Sequence, residues 1–225
     1  MHLWIGIVCC LLGLLSSCSP SIQTPAAKVA YAQGETSAIL DPGSTTQSSQ
    51  LAQHSGPAGI LVYCRHGGEI HLLVANDRLG IRGWGGFAGG DKKEETTAMT
   101  AARETSEETR GYYNQAGLLK MISGQKPIRQ SGFSLYFAEV PYVSAKKIMA
   151  HPIKRWSPGY FETQHYAWVP FFEIEPLLTK NNLTESDLQL HPRHLQRTSR
   201  SKVYWKVWID QLKQVQMNDG FPWRP

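Results

Sequence analysis

The chain has 225 residues, of which 41% are hydrophobic and 18% are charged, with a net charge of +5 and four cysteines. This length suffices for one substantial core or two small ones. The composition is too polar for a protein with many membrane spans and too poor in cysteine for a disulfide scaffold. We therefore expect a soluble globular domain, preceded by an apolar block in the first twenty residues that the averages conceal.

The N-terminal block has the pattern of an export signal. Residues 3–15 form an uncharged apolar run, shorter than the roughly twenty residues of a membrane-spanning helix but typical of a secretory signal peptide. The following Leu15-Ser16-Ser17-Cys18 resembles the lipobox of bacterial lipoproteins, in which the cysteine is acylated and becomes the first mature residue. This implies loss of residues 1–17, a lipid such as palmitate on Cys18, and export to the bacterial envelope with membrane anchoring, at the periplasmic side of the outer membrane in a Gram-negative cell. An ordinary cleaved signal is the alternative.

Residues 18–57 are predicted to be a tether that begins at the lipidated cysteine. They consist mainly of Ser, Thr, Gln, Ala, Gly and Pro, so they offer too little apolar surface to offset the entropy of ordering, and we expect them to be disordered. If the signal is removed and Cys18 is acylated, Cys64 is the only remaining thiol. It lies in an apolar run, which favours a buried small side chain over a nucleophile.

Residues 58–225 are predicted to form a single domain of mixed strands and helices. Without regular βαβ repeats, the pattern favours an α/β (α+β) fold with a mixed sheet over a doubly wound parallel sheet. Pro170 indicates a strand end or an edge strand. In chain order, the predictions are a hairpin of strands 60–64 and 70–75 turning at 66–69, a helix at 97–109 ended by Gly111, strands at 133–143 and 166–174, and a C-terminal helix at 200–215 with Val203, Val207, Trp208 and Leu212 on its apolar face.

Three glutamates of the first predicted helix share one face. At 100° per residue, Glu107 and Glu108 lie within about 60° of Glu104. Like charges at this spacing destabilise a helix, and Arg103, on the flank, is not expected to relieve them. A divalent cation such as Mg²⁺ or Mn²⁺, bound through oxygen ligands and acting on substrate phosphates, would neutralise the face. A solvated acidic surface is the alternative.

The spacing around these glutamates resembles the Nudix box. Gly89 is followed after five residues by Glu95 and after seven more by Arg-Glu-Thr-Ser-Glu-Glu at 103–108. The family pattern is G, five residues, E, seven residues, R-E-hydrophobic-x-E-E, x, G, hydrophobic. Two positions depart from it, because Thr105 replaces an aliphatic residue and Gly111 comes one residue late. The late glycine is expected to extend the helix or loosen its cap without moving a metal ligand.

The resemblance implies a function and a set of roles. A member would have a mixed β-sheet sandwiched between helices with a catalytic loop-helix-loop, and would hydrolyse the diphosphate of a small molecule, typically a nucleoside diphosphate linked to another moiety, with Mg²⁺ or Mn²⁺. Glu104, Glu107 and Glu108 would be metal ligands, with Glu104 or Glu108 also close to the attacking water. Arg103 would orient a carboxylate, and Glu95 would support the site or join the metal shell.

Further residues complete the expected site. Gly89, with Gly90 beside it, would permit a close approach that a side chain would block, and Gly111 would end the motif. Glu162, with His165 behind it, is a candidate general base.

Other features of the chain carry less chemistry. His191 and His194 lack a nearby carboxylate in sequence and are expected on the surface rather than on a metal. The excess of basic residues near the C-terminus, which includes Arg200, would suit anionic lipid headgroups or a phosphorylated substrate. It lacks the motifs of a nucleic-acid-binding protein, so no nucleic acid is predicted as a partner, and nothing indicates an oligomeric state. The alternative function is a non-catalytic Nudix-like module that binds or senses a ligand in the envelope.

Overall fold

A β-hairpin begins the folded part of the chain. The computed structural model describes residues 56–153, 158–218 and 220–224, so the predicted signal, Cys18 and nearly all of the predicted tether lie outside the described residues. Strand β1 (Ala58–His66) pairs antiparallel with β2 (Glu69–Asp77). The turn uses two glycines with left-handed φ values of 62° and 84°, which side-chain-bearing residues rarely adopt. The predicted hairpin is thus confirmed.

The two hairpin strands separate at the end opposite the turn. There β2 pairs with β3 (Trp84–Gly85) and β1 pairs with β4 (Phe87–Gly89). The outer edges of β1 and β2 are occupied by other strands, so β3 and β4 fill the gap between them. This places the backbone of residues 87–89 in the middle of the sheet.

The remaining strands make the sheet mixed. After β5 (Ile128–Gln130), β6 (Phe133–Glu139) runs parallel to β1, and β7 (Thr163–Pro170) runs antiparallel to β2. The order across the sheet is therefore β7, β2, β1, β6, β5. The strand predicted at 133–143 is shorter than expected, since it ends at Glu139.

The strand predicted at 166–174 is wrong in its second half. Strand β7 stops at Pro170, and helix α4 (Phe171–Thr179) starts at the next residue, with Phe171, Ile174, Leu177 and Leu178 buried. A continuous apolar run does not distinguish a buried strand from a buried helix. The change from strand to helix occurs at Pro170, which the sequence had indicated as a strand end.

Helices cover both faces of the sheet. On one face lie α1 (Thr97–Glu108), α2 (Gln115–Met121) and α3 (Ala145–Met149), and on the other lie α4 and α5 (Lys206–Asn218). Successive residues of β1 alternate between the two cores, with Ile60, Val62 and Cys64 facing α1 and Leu61 and Tyr63 facing α5. This is the mixed sheet between helices expected from the sequence, and Cys64 is buried as expected.

The C-terminal helix differs from the prediction at its start. Val203 pairs with Gln189 in an isolated β-bridge, and the helix begins only at Lys206. Val207 is half exposed, and the buried stripe instead consists of Trp208, Ile209, Leu212 and Val215. The β-bridge holds Val203 extended, so it cannot continue the helical stripe. Within the described ranges, no helix is both long and apolar enough to cross a bilayer.

Candidate active site

Helix α1 carries the acidic residues and is positioned by small side chains. Its N-cap, Thr96, accepts a hydrogen bond from the backbone N–H of Met99, which satisfies one free donor of the first turn. Ala101, Ala102 and Thr105 are fully buried. Thr105, in place of the aliphatic residue of the box, has a buried hydroxyl without a hydrogen-bond partner.

Two of the glutamates reach the backbone of β4. The Oε2 atom of Glu108 accepts a hydrogen bond of 2.9 Å from the N–H of Ala88. A Cβ atom on Gly89 would lie 2.3 Å from the carboxyl carbon of Glu104. The absence of a side chain at Gly89 therefore makes the space in which the Glu104 carboxylate lies. A Cβ atom on the neighbouring Gly90 would have no atom within 4 Å. The carbonyl of Gly90 accepts a 2.7 Å hydrogen bond from Arg103.

Arg103 lies at the centre of the acidic residues, which corrects the expectation that it would not relieve them. Its Nη1 atom lies 2.6 Å from Glu104 and 3.2 Å from Glu107. The helical wheel places the Cα of Arg103 on the flank, but its long side chain carries the guanidinium back over the acidic face. One guanidinium thus compensates part of the charge of two carboxylates.

Glu95 fixes the orientation of this guanidinium. Its two oxygens accept hydrogen bonds from Nε and Nη2 of Arg103 at 2.6 and 2.9 Å, which is the planar fork expected of an arginine and carboxylate pair. The same carboxylate also accepts from the backbone N–H of Lys92 and the hydroxyl of Thr100. With these contacts, Glu95 supports Arg103 from the loop before α1.

Glu107 occupies a different environment from Glu104 and Glu108. Its carboxylate lies 3.2 Å from Arg103 and 3.6 Å from the Nζ of Lys92. A 3₁₀ turn, Pro158–Phe161, packs over it so closely that a Cβ on Gly159 would come within 2.7 Å of its Oε2. Glu107 is thus held by cations of the protein itself.

The end of α1 shows what the late glycine does. The helix is not extended: it ends at Glu108 with Thr109 as its C-cap. The N–H of Arg110 bonds the carbonyl of Glu107, and the N–H of Gly111 bonds that of Ser106, the paired bonds of a Schellman motif. Arg110 has a φ of 59°, so it holds the left-handed position at which the Nudix box has its glycine.

Two adjoining clefts meet beside Glu108. Both are lined by Asp77, Arg82 and Glu108. The larger, which we call the arginine cleft, has a volume of about 1150 Å³. Its other lining residues are Arg78, Leu79, Ile81, Pro158, Phe161, Glu162 and Arg200. The smaller, of about 370 Å³, runs along the glycine-rich segment 83–90 towards Trp205 and Gln211.

The loop between β2 and β3 shapes the arginine cleft. The carboxylate of Asp77 accepts the N–H groups of Ile81 and Arg82 at 3.1 and 3.4 Å. Gly80 packs so tightly against Arg200 that a Cβ there would lie 2.5 Å from the Arg200 Cβ. The guanidinium of Arg82 lies over the ring of Trp205 at 5.8 Å. These contacts bring arginines from two distant chain segments to one cleft.

Burial and mutual repulsion perturb the acidic groups. Burial, together with the charges of Glu104 and Glu162, raises the pKa of Glu108 to about 8, although the Ala88 hydrogen bond opposes the shift. The pKa of Glu104 is also raised, first by burial and further by Glu107 and Glu162, against the effect of Arg103. Conversely, the hydrogen bonds from Arg103 lower the pKa of Glu95 to about 2. Arg103 therefore stabilises the ionised form of Glu95, whereas burial and the neighbouring carboxylates disfavour the ionised form of Glu108.

The chemistry of the donor set fits a divalent cation at Glu104 and Glu108, with Glu162 facing them. Carboxylates are preferred ligands of Mg²⁺ and Mn²⁺. Within the described ranges, neither Glu108 nor Glu162 forms an ion pair. Among the described residues, no three His, Cys, Asp or Glu side chains are arranged as a metal site, and Arg103 is paired with both Glu104 and Glu107. Of the three helix glutamates, Glu107 is the one most fully engaged by protein cations.

The structure also places the remaining predicted residues. Glu162 is exposed and lines the arginine cleft, whereas His165 is buried with its Nε2 atom 3.3 Å from the Thr198 hydroxyl. His191 is exposed, but His194 is mostly buried and lies 3.0 Å from Glu173, so the expectation of a surface histidine without a carboxylate is wrong for His194. Glu173 lies in α4, 21 residues before His194 in the sequence.

Sequence reasoning placed Arg200 in a basic segment but missed the site that it forms with Arg78 and Arg82. Arg78, Arg82 and Arg200 lie in no motif, and only the packing of the β2–β3 loop on the segment around Arg200 brings them together. The available signal was local: two arginines flank Leu-Gly-Ile directly after a predicted strand. The Tyr166 hydroxyl, which donates a 2.6 Å hydrogen bond to the Glu108 carbonyl, was likewise invisible in sequence.

Comparisons with known proteins give distant structural likenesses. No protein-family model matches the chain, and no curated protein matches it. A C. elegans Ap4A hydrolase in a binary complex is 18% identical over 50% of this chain and 78% of that one, with a TM-score of 0.33. A second structure of C. elegans Ap4A hydrolase is 16% identical over 54% of this chain and 82% of that one, with a TM-score of 0.32.

A third similar structure is a MutT/nudix family protein from Enterococcus faecalis. It is 14% identical, with a TM-score of 0.35, over 56% of this chain and 47% of that one. Identities and TM-scores this low do not assign a function, which has to be argued from the site.

Proposed function

We propose that this protein is a Nudix-type hydrolase that uses Mg²⁺ or Mn²⁺ to cleave a diphosphate linkage in a small molecule. The observation that carries the proposal is the composition of the cleft around Glu108. The carboxylates of Glu108 and Glu162 and the guanidinium groups of Arg78, Arg82 and Arg200 line the same cleft, and the charges of Glu104 and Glu162 act on Glu108. Carboxylates suit a divalent cation, and guanidinium groups suit phosphate oxygens.

Glu104 and Glu108 would hold the cation, and β4 keeps both carboxylates in place. Ala88 fixes one oxygen of Glu108, and Gly89 leaves the space for Glu104. When bound, the cation would neutralise charge on the diphosphate and lower the pKa of bound water. We assign Arg103 and Glu95 as positioning residues, since Glu95 fixes the guanidinium that holds Glu104 at 2.6 Å.

The reaction is the hydrolysis of a P–O–P anhydride. The oxygen of a water molecule forms a bond to one phosphorus, the bond from that phosphorus to the bridging oxygen breaks, and the bridging oxygen leaves on the other phosphate. We assign Glu162 to accept the proton of the water, because it lines the cleft and, in the described part of the chain, has no ion-pair partner. Arg82, next to Glu108, would stabilise the charge on the phosphate oxygens.

The test is hydrolysis of a panel of soluble diphosphates with Mg²⁺ or Mn²⁺, followed by ³¹P NMR of the products. Glu108→Gln removes the charge that the cation needs and is expected to lower kcat at least about 100-fold. Glu185→Gln, at an exposed glutamate far from the cleft, is the matched control and should behave like the parent. The proposal fails if no diphosphate is hydrolysed, or if Glu108→Gln is as active as the parent.

A binding module is the second candidate. The observation in its favour is that Arg103 already engages Glu104 and Glu107, so that a cation would have to draw Glu104 away from a 2.6 Å ion pair. Such a module would be stabilised thermally by a diphosphate ligand without converting it. Metal-dependent release of a phosphate product would exclude it.

A further inference from the structure

The rim of the arginine cleft exposes two large aliphatic side chains. Leu79 and Ile81, in the loop between β2 and β3, have 62% and 78% of their surface accessible. Isolated exposed aliphatic residues are ordinary on protein surfaces. These two, however, line the same cleft as Glu108 and Glu162, and Asp77 holds the loop that carries them through the N–H groups of Ile81 and Arg82. The apolar rim is therefore a fixed part of the cleft.

Three arginines without carboxylate partners flank this rim. In the part of the chain that the structure describes, Arg78, Arg82 and Arg200 form no ion pair, whereas Arg103 is engaged by three carboxylates. Guanidinium groups that no carboxylate neutralises are typical phosphate ligands in a concave site, and Arg82 also lies over the ring of Trp205. Positive charge and apolar surface thus lie side by side.

The described lining of the arginine cleft has no neutral hydrogen-bonding side chain, and Phe161 is its only aromatic residue. Each described lining residue is either charged or apolar, and none has a hydroxyl or amide side chain. Asp77 already accepts two backbone N–H groups. A free polyphosphate would leave Leu79 and Ile81 uncovered, and a ribose would lack neutral hydrogen-bonding partners. A phosphate group that carries an apolar chain uses both surfaces.

We infer that the substrate class of this site is a diphosphate ester of an alkyl or isoprenoid chain, whose phosphates meet the arginines and whose chain covers Leu79 and Ile81. The inference rests on the proposed function, because it concerns the same cleft. Hydrolysis of such an ester at the anhydride would release orthophosphate and the chain monophosphate. A lipid diphosphate in a membrane and a soluble short-chain ester share this chemistry.

The experiment compares two diphosphate monoesters that differ only in the organic group, farnesyl diphosphate and ADP. Both are assayed with the full chain and Mg²⁺ below the concentration at which farnesyl diphosphate forms micelles. We expect kcat/KM to be at least about tenfold higher for farnesyl diphosphate, since burial of a few methylene groups supplies a factor of this size. Equal or lower kcat/KM for farnesyl diphosphate would overturn the inference.

Substitutions of Leu79 and Ile81 test whether these side chains cause the preference for farnesyl diphosphate over ADP. The double variant Leu79→Ser and Ile81→Ser is expected to lower kcat/KM for farnesyl diphosphate about tenfold and to leave that for ADP unchanged. Met217→Ser, at a methionine of α5 that is 65% exposed, is the control for removing an exposed apolar side chain elsewhere. An equal loss for both substrates in the double variant would contradict the inference.

Two further readouts separate the outcomes. If ADP is hydrolysed without any preference for farnesyl diphosphate, the proposed function stands and the inference falls. If nothing is hydrolysed but calorimetry shows that farnesyl diphosphate binds and that the double variant weakens this binding, the proposed function falls and the amphiphile site stands. Sedimentation with phosphatidylglycerol vesicles tests whether the rim binds a bilayer. If the double variant loses vesicle binding and the parent shows no preference for farnesyl diphosphate, the rim is a membrane contact and the inference is overturned.

Discussion

At the level of single residues, the adjacent glycines Gly89 and Gly90 have different roles. Gly89 leaves room for the Glu104 carboxylate, while Gly90 contributes a carbonyl that any residue could supply. Gly89→Ala should therefore displace Glu104 and lower kcat/KM about 100-fold, the cost of misplacing a reacting group by about 1 Å. Gly90→Ala should be nearly as active as the parent. Steady-state kinetics with the best substrate of the panel distinguishes the two, and equal effects would show that Gly89 has no such role.

Glu95 gives the site a pH-dependent contribution to stability. Its pKa is lowered to about 2 by the Arg103 ion pair, so the contribution is complete above the unfolded value of about 4.3 and is lost as the pH falls towards 2. Glu95→Gln should lower the free energy of unfolding by about 2 kcal/mol at pH 7 and by progressively less between pH 4 and pH 2.

Urea unfolding at several pH values measures this difference. Glu94→Gln, at the exposed neighbour, is the control and should change the free energy of unfolding little at any pH. A deficit for Glu95→Gln that stays constant from pH 7 to pH 3 would show that the carboxylate charge of Glu95 is not what stabilises the loop.

At the level of elements, the end of α1 carries avoidable strain. Arg110 adopts a left-handed φ of 59°, which costs a residue with a side chain roughly 1 kcal/mol relative to glycine. Arg110→Gly should therefore be more stable than Arg110→Ala by about that amount, because both lose the same side-chain contacts and only the glycine relieves the strain. Thermal unfolding measures the difference, and equal melting temperatures would contradict this account of the helix end.

Elements with local signals were predictable, and those set by tertiary contacts were not. The β1–β2 hairpin has turn glycines and β-rich runs, and its strands were predicted to within two residues at each end. Helix α1 was predicted to within one residue from its helical face. The start of α5 depends on the β-bridge of Val203 with Gln189, which no local pattern reveals. The acidic half of the site likewise lies in one motif, whereas its basic half is assembled from the β2–β3 loop and the segment around Arg200.

At the scale of the whole molecule, the predicted export and anchoring signal lies outside the described residues. We propose that Cys18 carries a lipid that holds the protein at a membrane, so Cys18→Ser should shift the protein from the membrane fraction to the soluble fraction. Cys64→Ala is the matched control, because Cys64 is buried in the sheet and its replacement should leave the fractionation unchanged. Continued membrane association of Cys18→Ser would refute the anchor.

The contact of Trp84 with the C-terminal part of the chain has a consequence for biosynthesis. The Nε1 of Trp84 donates to the carbonyl of Ser201, 117 residues later, and Trp84 precedes the strand that positions Glu104 and Glu108. Closing so long a loop carries an entropic cost. A nascent chain that ends before Arg200 and Ser201 lacks both this contact and one arginine of the cleft, so the cleft cannot assemble before these residues have been synthesised.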